Sequence, residues 1–168
     1  GNNSTISITD TNTTNRLSVV DDAGRGSLDL AELTATDIHY VDLNGVKINS
    51  VVPGNGKTLA IEVLNNGDII GGPTAGADLD FDGNLLLKAD GDIGTQAAPI
   101  RVEAGTVSVQ AGSDSGDEIH LSSRSDALVI ADVQLQNHRN EVVAQGQGVR
   151  GGGDIDIRLE STNPSVLD

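Results

Sequence analysis

The chain has 168 residues, enough for one domain with a sizeable core, and it contains one Phe, one Tyr and no Trp, Met or Cys. Its formal charge of −15, from 25 acidic and 10 basic residues, argues against nucleic acid or an anionic membrane surface as a partner. The lack of Cys excludes disulfides, and no stretch approaches the ~18 apolar residues of a membrane span. With so few aromatic residues the core must consist of Val, Ile, Leu and Ala, which suits the narrow interior of a coil.

The first fifteen residues are rich in Asn, Ser and Thr. We predict that segment 1–15 is a polar linker, a cap or a donor strand, because Thr5–Thr9 alternates as a strand added to a neighbouring sheet would. The chain starts at Gly1 without an initiator Met or a signal peptide, so we expect a piece of a larger protein. Residues 16–168 are predicted to form a single all-β repeat domain.

The rest of the chain consists of short segments in which apolar and polar residues alternate with period two, and helix signals are almost absent. The turn glycines Gly45, Gly67, Gly91, Gly116 and Gly153 are 22, 24, 25 and 37 residues apart. The first three steps predict a parallel β-solenoid (β-helix) with coils of ~20–25 residues, and an antiparallel β-sandwich is the alternative. The last step, of 37 residues, holds the polar stretch 136–140, which we interpret as a loop or a missed coil.

Coils of this length cannot bury their own apolar faces, so stacking must bury a continuous ladder of Val, Ile and Leu. About seven coils at ~4.8 Å per rung would form a rod of roughly 35 Å. Such a rod has an open sheet edge at each end, and open edges polymerise unless they are covered. We therefore expect neighbouring repeats, or copies of the chain joined end to end, as partners.

Part of the chain carries a recognisable pattern of turns and strands. The run Asn84–Gly94 reads NLLLKADGDIG, and it is followed by AAPIRV at 97–102, VSV at 107–109 and GDEIHL at 116–121. Over roughly residues 60–135 the chain resembles the degenerate repeats of filamentous-haemagglutinin-like large bacterial exoproteins and giant surface adhesins. The resemblance implies a right-handed parallel β-helix, secretion to the cell surface and an adhesive or spacer role. It carries over no catalytic residues, and the segment before residue 44 fits the pattern poorly.

Three alternate aspartates form the sharpest local motif. Asp78, Asp80 and Asp82, followed by Gly83, match the opening of a calcium loop, in which alternate carboxylates converge on one ion. The twelfth position is Ala89, where a bidentate acid belongs. The alternative is an ordinary strand with Leu79 and Phe81 inward and the three aspartates outward.

A second acidic feature follows from the repeat itself. If coils stack, Asp92 and Asp117 could lie over one another at the same turn, with Asp68 one coil before. Such a column would attract cations. The alternative is that Gly-Asp is simply favourable turn chemistry.

Other motifs carry no site. The stretch Pro53–Thr58 lacks the first Gly of a phosphate loop, and Gly146–Gly151 satisfies G-x-G-x-x-G with an alternating strand, rather than a helix, after it. His39, His120 and His138 stand far apart, without a second His or Cys at metal-ligand spacing.

We therefore predict a structural or adhesive segment of an extracellular bacterial surface protein, without catalysis and with calcium as the one candidate cofactor. Such a segment would contact a cell-surface glycan at most weakly, because sugars usually stack on aromatic residues. One alternative is a self-assembling extracellular filament subunit joined by strand addition. Another is a calcium-dependent polysaccharide-binding or polysaccharide-cleaving β-helix, in which Asp78, Asp80 and Asp82 would serve the site.

Overall fold

A computed structural model describes residues 5–7, 16–21, 26–33, 37–53, 56–72, 78–80, 82–124, 128–136 and 139–160. Two parallel sheets and one hairpin account for the strands of this part of the chain. Sheet 1 contains β1 (Thr5–Ser7), β3 (Gly26–Leu33), β5 (Val46–Pro53), β7 (Ile69–Ile70), β8 (Leu79–Asp80), β10 (Ile100–Glu103), β12 (Ile119–Ser123) and β17 (Ile155–Leu159). Sheet 2 contains β2 (Arg16–Asp21), β4 (Asp37–Asp42), β6 (Thr58–Val63), β9 (Asn84–Ala89), β11 (Thr106–Gln110), β13 (Val129–Ile130) and β16 (Val149–Arg150). The hairpin consists of β14 (Asp132–Gln136) and β15 (Val142–Gln147).

The chain alternates between the two sheets, so each coil adds one rung to both. Sheet 1 runs in the order β1-β3-β5-β8-β10-β12-β17, with β7 also beside β5, and sheet 2 runs from β2 through β4, β6, β9 and β11 to β13, with β16 also beside β11. Every strand pair within these sheets is parallel. The predicted parallel β-solenoid is confirmed. The antiparallel sandwich is wrong, because the chain passes through the other sheet between successive rungs of each sheet and therefore enters every rung in the same direction.

The coil length agrees with the spacing of the turn glycines. Ile69, Ile93, Ile119 and Ile155 stack in one column above Val46, at successive steps of 23, 24, 26 and 36 residues. The long last step holds the hairpin of β14 and β15, which is antiparallel and leaves the solenoid between β13 and β16. Of the two interpretations of this step, the loop is correct and the missed coil is not.

The interior of the solenoid is aliphatic. On the rungs from β4 to β12, most of the described side chains that point between the two sheets are buried, and the fully buried ones include Ile38, Ile48, Ile61, Leu87 and Val107. On β4, Tyr40 and Asp42 also point inward, and the Tyr40 hydroxyl donates to Asp42 Oδ2 over 2.9 Å. The predicted core of Val, Ile, Leu and Ala is thus confirmed for most of the described rungs, with one aromatic residue in addition.

A second, smaller apolar cluster lies on the outside of sheet 2. The hairpin packs across β6, β9 and β11. Its inward residues Val133, Leu135 and Ala144 are buried against Ala60 and Leu86. This contact covers part of the outer face of sheet 2. The described residues form no helix, and hence no helix that is long and apolar enough to cross a membrane.

Candidate functional site

The acidic turn column exists, but one member differs from the prediction. Asp68 Oδ1 accepts the backbone N–H of Asp92 at 3.1 Å, and Asp92 Oδ1 accepts the backbone N–H of Glu118 at 2.8 Å. The residue above Asp92 is therefore Glu118 and not Asp117. The coil between them is one residue longer than the glycine spacing indicates, and Asp117 instead accepts the N–H of Asp114 within its own turn.

This column joins coils through hydrogen bonds. Each carboxylate satisfies a backbone donor that the turn would otherwise leave unpaired, which favours the turn-chemistry interpretation for the Gly-Asp repeat. Gly91, the glycine before Asp92, has a matching cause: a Cβ on Gly91 would lie 2.5 Å from Asp68 Oδ1. Glycine at this position leaves room for the carboxylate of the coil below.

Asp78 lies in a closed polar pocket immediately before β8. Its side chain is fully buried. Oδ1 accepts the N–H of Gly72 at 3.0 Å and an Arg101 guanidinium N–H at 3.0 Å, while Oδ2 accepts the backbone N–H of Arg101 at 2.9 Å. The same guanidinium also donates to the carbonyl of Gly72 over 2.9 Å. Asp78 thus lies on the outer face of sheet 1, opposite to the inward Leu79, as the strand interpretation expects, but it is buried there because Arg101 and two backbone N–H groups surround its carboxylate.

Asp80 and Asp82 have a different environment. Both are exposed, whereas Leu79 between Asp78 and Asp80 is buried as predicted; Phe81 lies outside the described residues. Among the described His, Cys, Asp and Glu residues no group of three is placed to hold a metal ion. Calcium binding by Asp78, Asp80 and Asp82 together would require Arg101 to leave Asp78, since both Asp78 oxygens already accept hydrogen bonds. The calcium site stays a prediction.

A charged ladder crosses the outer face of sheet 2. Glu62 lies 2.8 Å from His39 Nε2 through one oxygen and accepts from Lys88 Nζ over 3.1 Å through the other. Burial raises the pKa of Glu62, but the hydrogen bonds and charges of His39 and Lys88 outweigh it and hold the pKa below its ordinary value. The spacing of these residues, 23 and 26 positions apart, is that of stacked coils.

A second charged cluster lies on the outer face of sheet 1. His120 Nε2 lies 2.7 Å from a Glu118 oxygen, and His120 Nδ1 lies 3.7 Å from an Asp156 oxygen. The Arg158 side chain donates to Asp156 and lowers the pKa of that carboxyl. The buried Ser122 Oγ has no hydrogen-bond partner among the described residues, so no described base is positioned to take its proton.

An open groove of about 490 Å³ lies beside the end of sheet 2. Lys88, Gln110 and Arg150, which are register neighbours on β9, β11 and β16, contribute its long polar side chains. Asp90 and Ser113 also line it, together with alanines and glycines. The groove therefore crosses three coils and offers both hydrogen-bond donors and acceptors. The strand β17, rather than a helix, follows the motif Gly146–Gly151, as the sequence predicts.

The last described rung of the solenoid is apolar and has no described rung above it. We call the surface formed by β13, β16 and β17 the β17 end. Ile130, Ile155 and Leu159 are 44%, 48% and 61% exposed, although each continues an inward column whose neighbour below is fully buried. In the part of the chain that the structure describes, β17 and β13 stand last in their sheets. The sequence predicts open ends but does not indicate where the last rung lies.

Comparisons of the chain with protein-family models, with curated proteins and with solved structures found no match.

Proposed function

We propose that this chain is a structural or adhesive segment, a rigid spacer or adhesin stalk, of an extracellular bacterial surface protein, and that it catalyses no reaction. The observation that carries the proposal is the continuous, mostly aliphatic interior, which extends through the stacked rungs from Ile38 to Leu121. Because each rung is fixed by hydrogen bonds and packing to its neighbours alone, such a body resists bending and its length scales with the number of coils.

The polar features of the described surface support the same function. The carboxylates of Asp68 and Asp92 bond backbone N–H groups of the next coil, and Asp78 neutralises a half-buried arginine. These acids stabilise the stack. The negative net charge keeps an elongated surface soluble.

Stiffness is the property to measure first. Because the chain contains no Cys, dyes can be attached specifically to Ser7→Cys and Arg158→Cys, on strands β1 and β17. The seven-strand path of sheet 1 places these strands roughly 30 Å apart at ~4.8 Å per step. We expect a narrow single-molecule energy-transfer distribution at that distance. A broad distribution in buffer, like that of the same protein in urea, would overturn the spacer function.

A binding assay then distinguishes a spacer from an adhesin. Beads coated with the chain should remain detached from epithelial and bacterial cells if it only spaces, and should attach if it adheres. The groove lined by Lys88, Gln110 and Arg150 is the surface on which a glycan would find hydrogen-bond partners. Loss of attachment in Gln110→Ala with Arg150→Ala would locate the adhesive contact there. Release of unsaturated products from pectin or alginate would replace this proposal by the polysaccharide-cleaving alternative.

A further inference from the structure

The exposed residues of the β17 end continue the buried interior. Ile155 lies beside Ile119, Leu159 beside Ser123 and Ile130 beside Val107 in register. The lower member of each pair is fully buried because it has a rung on both sides. Ile157 and Val149, the other inward residues of this rung, are half-buried. Within the described residues the upper side of the rung therefore consists of aliphatic side chains and of strand edges whose hydrogen-bonding groups have no strand partner.

The opposite end of the same sheets has the complementary edge. Among the described strands, β1 and β2 stand first in sheets 1 and 2. The register places Ile6 in the column of Leu28 and Ile48, and Leu17 in the column of Ile38. Ile48 lies two positions after Val46, as Ile157 lies two positions after Ile155, so Ile6 and Ile157 occupy the same register column at the two ends of sheet 1.

Strand direction decides which ends fit together. All strands of both sheets run parallel, so a parallel rung can be added above β17 only by an edge of the β1 type. Two β17 ends placed face to face would instead pair antiparallel and would close a two-fold dimer.

We propose that the β17 end binds the β1–β2 end of a second copy of this chain, so that both sheets continue from one copy into the next. The proposal rests on the proposed function, since stacked copies extend the spacer. The contact repeats the coil-to-coil interface that holds each copy together: parallel backbone hydrogen bonds, with aliphatic columns inside. A head-to-tail contact of this kind does not close, so it generates filaments.

Charge sets the condition for assembly. Each copy carries a formal charge of −15, and like charges oppose stacking over a distance of about a Debye length. Added salt shortens that length to ~3 Å at 1 M and also strengthens apolar contacts when the anion is sulfate. Assembly should therefore increase with protein concentration and with ionic strength.

Sedimentation velocity from micromolar to millimolar protein, at low and high salt, tests the proposal. The test variant is Ile155→Lys with Leu159→Lys. The control is Val142→Lys with Val143→Lys, which makes the same charge change at exposed valines of the hairpin. We expect wild type and control to form an open series of polymers. The β17-end variant should polymerise only at a protein concentration at least about tenfold higher. Circular dichroism and melting of the dilute monomers confirm that both variants fold.

Cross-linking tests the direction of stacking. Ser7→Cys and Arg158→Cys occupy adjacent rungs in the proposed contact, within the Cα distance of ~4.4–6.8 Å that a disulfide spans. Mixed single-Cys variants should form heterodimers on oxidation, and Arg158→Cys alone should form few homodimers. Wild type that stays monomeric throughout, a polymer that stops at the dimer, or assembly lost in the hairpin control and retained in the β17-end variant would each overturn the proposal. If the protein stays monomeric but the dyes at positions 7 and 158 still give a narrow distance distribution at roughly 30 Å, the end-to-end contact is wrong and the spacer function is retained.

Discussion

Asp78 and Asp80 are two residues apart on one alternating segment, yet the structure gives them opposite environments. Asp78 is fully buried with Arg101, and Asp80 is exposed. The difference arises from Arg101, one coil away, whose backbone N–H and guanidinium both donate to Asp78. No local pattern predicts that pair, because it depends on which residue the next coil brings alongside.

Removing the Asp78 carboxylate should destabilise the protein strongly. In Asp78→Asn the half-buried Arg101 loses its counter-charge, and an NH2 group replaces one of the two oxygens that accept N–H groups, which we expect to lower the free energy of unfolding by about 2–4 kcal/mol. Asp80→Asn is the matched control and should change it by less than about 0.5 kcal/mol. Urea denaturation measures both. Equal effects would mean that the Arg101 contact contributes nothing to stability.

The Asp80→Asn variant also tests the predicted calcium site. If Asp78, Asp80 and Asp82 hold calcium, the melting midpoint rises when millimolar calcium replaces excess EDTA, because a ligand that binds only the folded state stabilises it by mass action. The rise should then disappear in Asp80→Asn, which leaves Arg101 paired. No rise in wild type would mean that Asp78 serves Arg101 alone and that Asp80 and Asp82 are solvated.

Glu62 should make stability acid-sensitive. Its pKa in the folded protein lies below the ordinary value of 4.5, because the hydrogen bonds from His39 and Lys88 outweigh burial. A depressed carboxyl pKa contributes stability above the unfolded pKa, and the contribution is lost as the pH falls through the folded pKa. We expect Glu62→Gln to cost about 1 kcal/mol at neutral pH and progressively less below a pH of about 4.5.

Urea titrations of wild type and Glu62→Gln across the acid range measure this difference. Lys88→Gln removes one of the two donors and should give a smaller cost with the same dependence on pH. A cost that stays constant into strong acid would show that the side chain acts by packing rather than by charge.

At the scale of elements, the hairpin is the departure from the repeat. β14 and β15 interrupt the last long step and fold back over β6, β9 and β11. The polar stretch at its tip predicts a loop, and the alternation of Val133 and Leu135 predicts a strand. Which surface these residues cover depends on Ala60 and Leu86, which belong to earlier coils.

Close backbone approach at Gly146 fixes the hairpin on sheet 2. A Cβ there would overlap Ser108 Oγ and Leu86 Cδ1, so we expect Gly146→Ala to displace the hairpin at a cost of about 1–3 kcal/mol. Hydrogen exchange should increase in β14 and β15 while the amides of β9 and β11 stay protected. Gly116→Ala is the control, because a Cβ at Gly116 has no atom within 4 Å. Faster exchange in both sheets would mean that the hairpin is needed for the solenoid itself.

At the scale of the whole molecule, stability should depend on position along the stack. A central rung has neighbours on both sides, and an end rung has one. Leu87→Ala, in a fully buried central position, should cost about 2–5 kcal/mol, and Ile157→Ala, half-buried at the β17 end, distinctly less. Denaturation of dilute protein measures both costs, and hydrogen exchange should be slowest in β6, β9 and β11. Equal costs would contradict a one-dimensional stack.

The sequence by itself determined the local and periodic properties. Period-two alternation specifies strands, glycine with aspartate specifies turns, and the spacing of those turns specifies coils of ~20–25 residues, because each signal is contained within one coil. The scarcity of aromatic residues likewise predicts an aliphatic interior. Tyr40 and Asp42 escaped prediction, although Asp42 two residues before Asn44-Gly45 is a turn signal: its Oδ1 accepts both of those N–H groups.

Only the tertiary structure decided contacts between coils. It placed Glu118 rather than Asp117 above Asp92, buried Asp78 beside Arg101, laid the hairpin on Leu86 and left Ile155 and Leu159 uncovered. These contacts join residues more than twenty positions apart, and the coils differ in length, as the steps of 24 residues from Ile69 to Ile93 and 26 residues from Ile93 to Ile119 show. Register is a property of the stack, so it cannot be obtained from the spacing within any one coil.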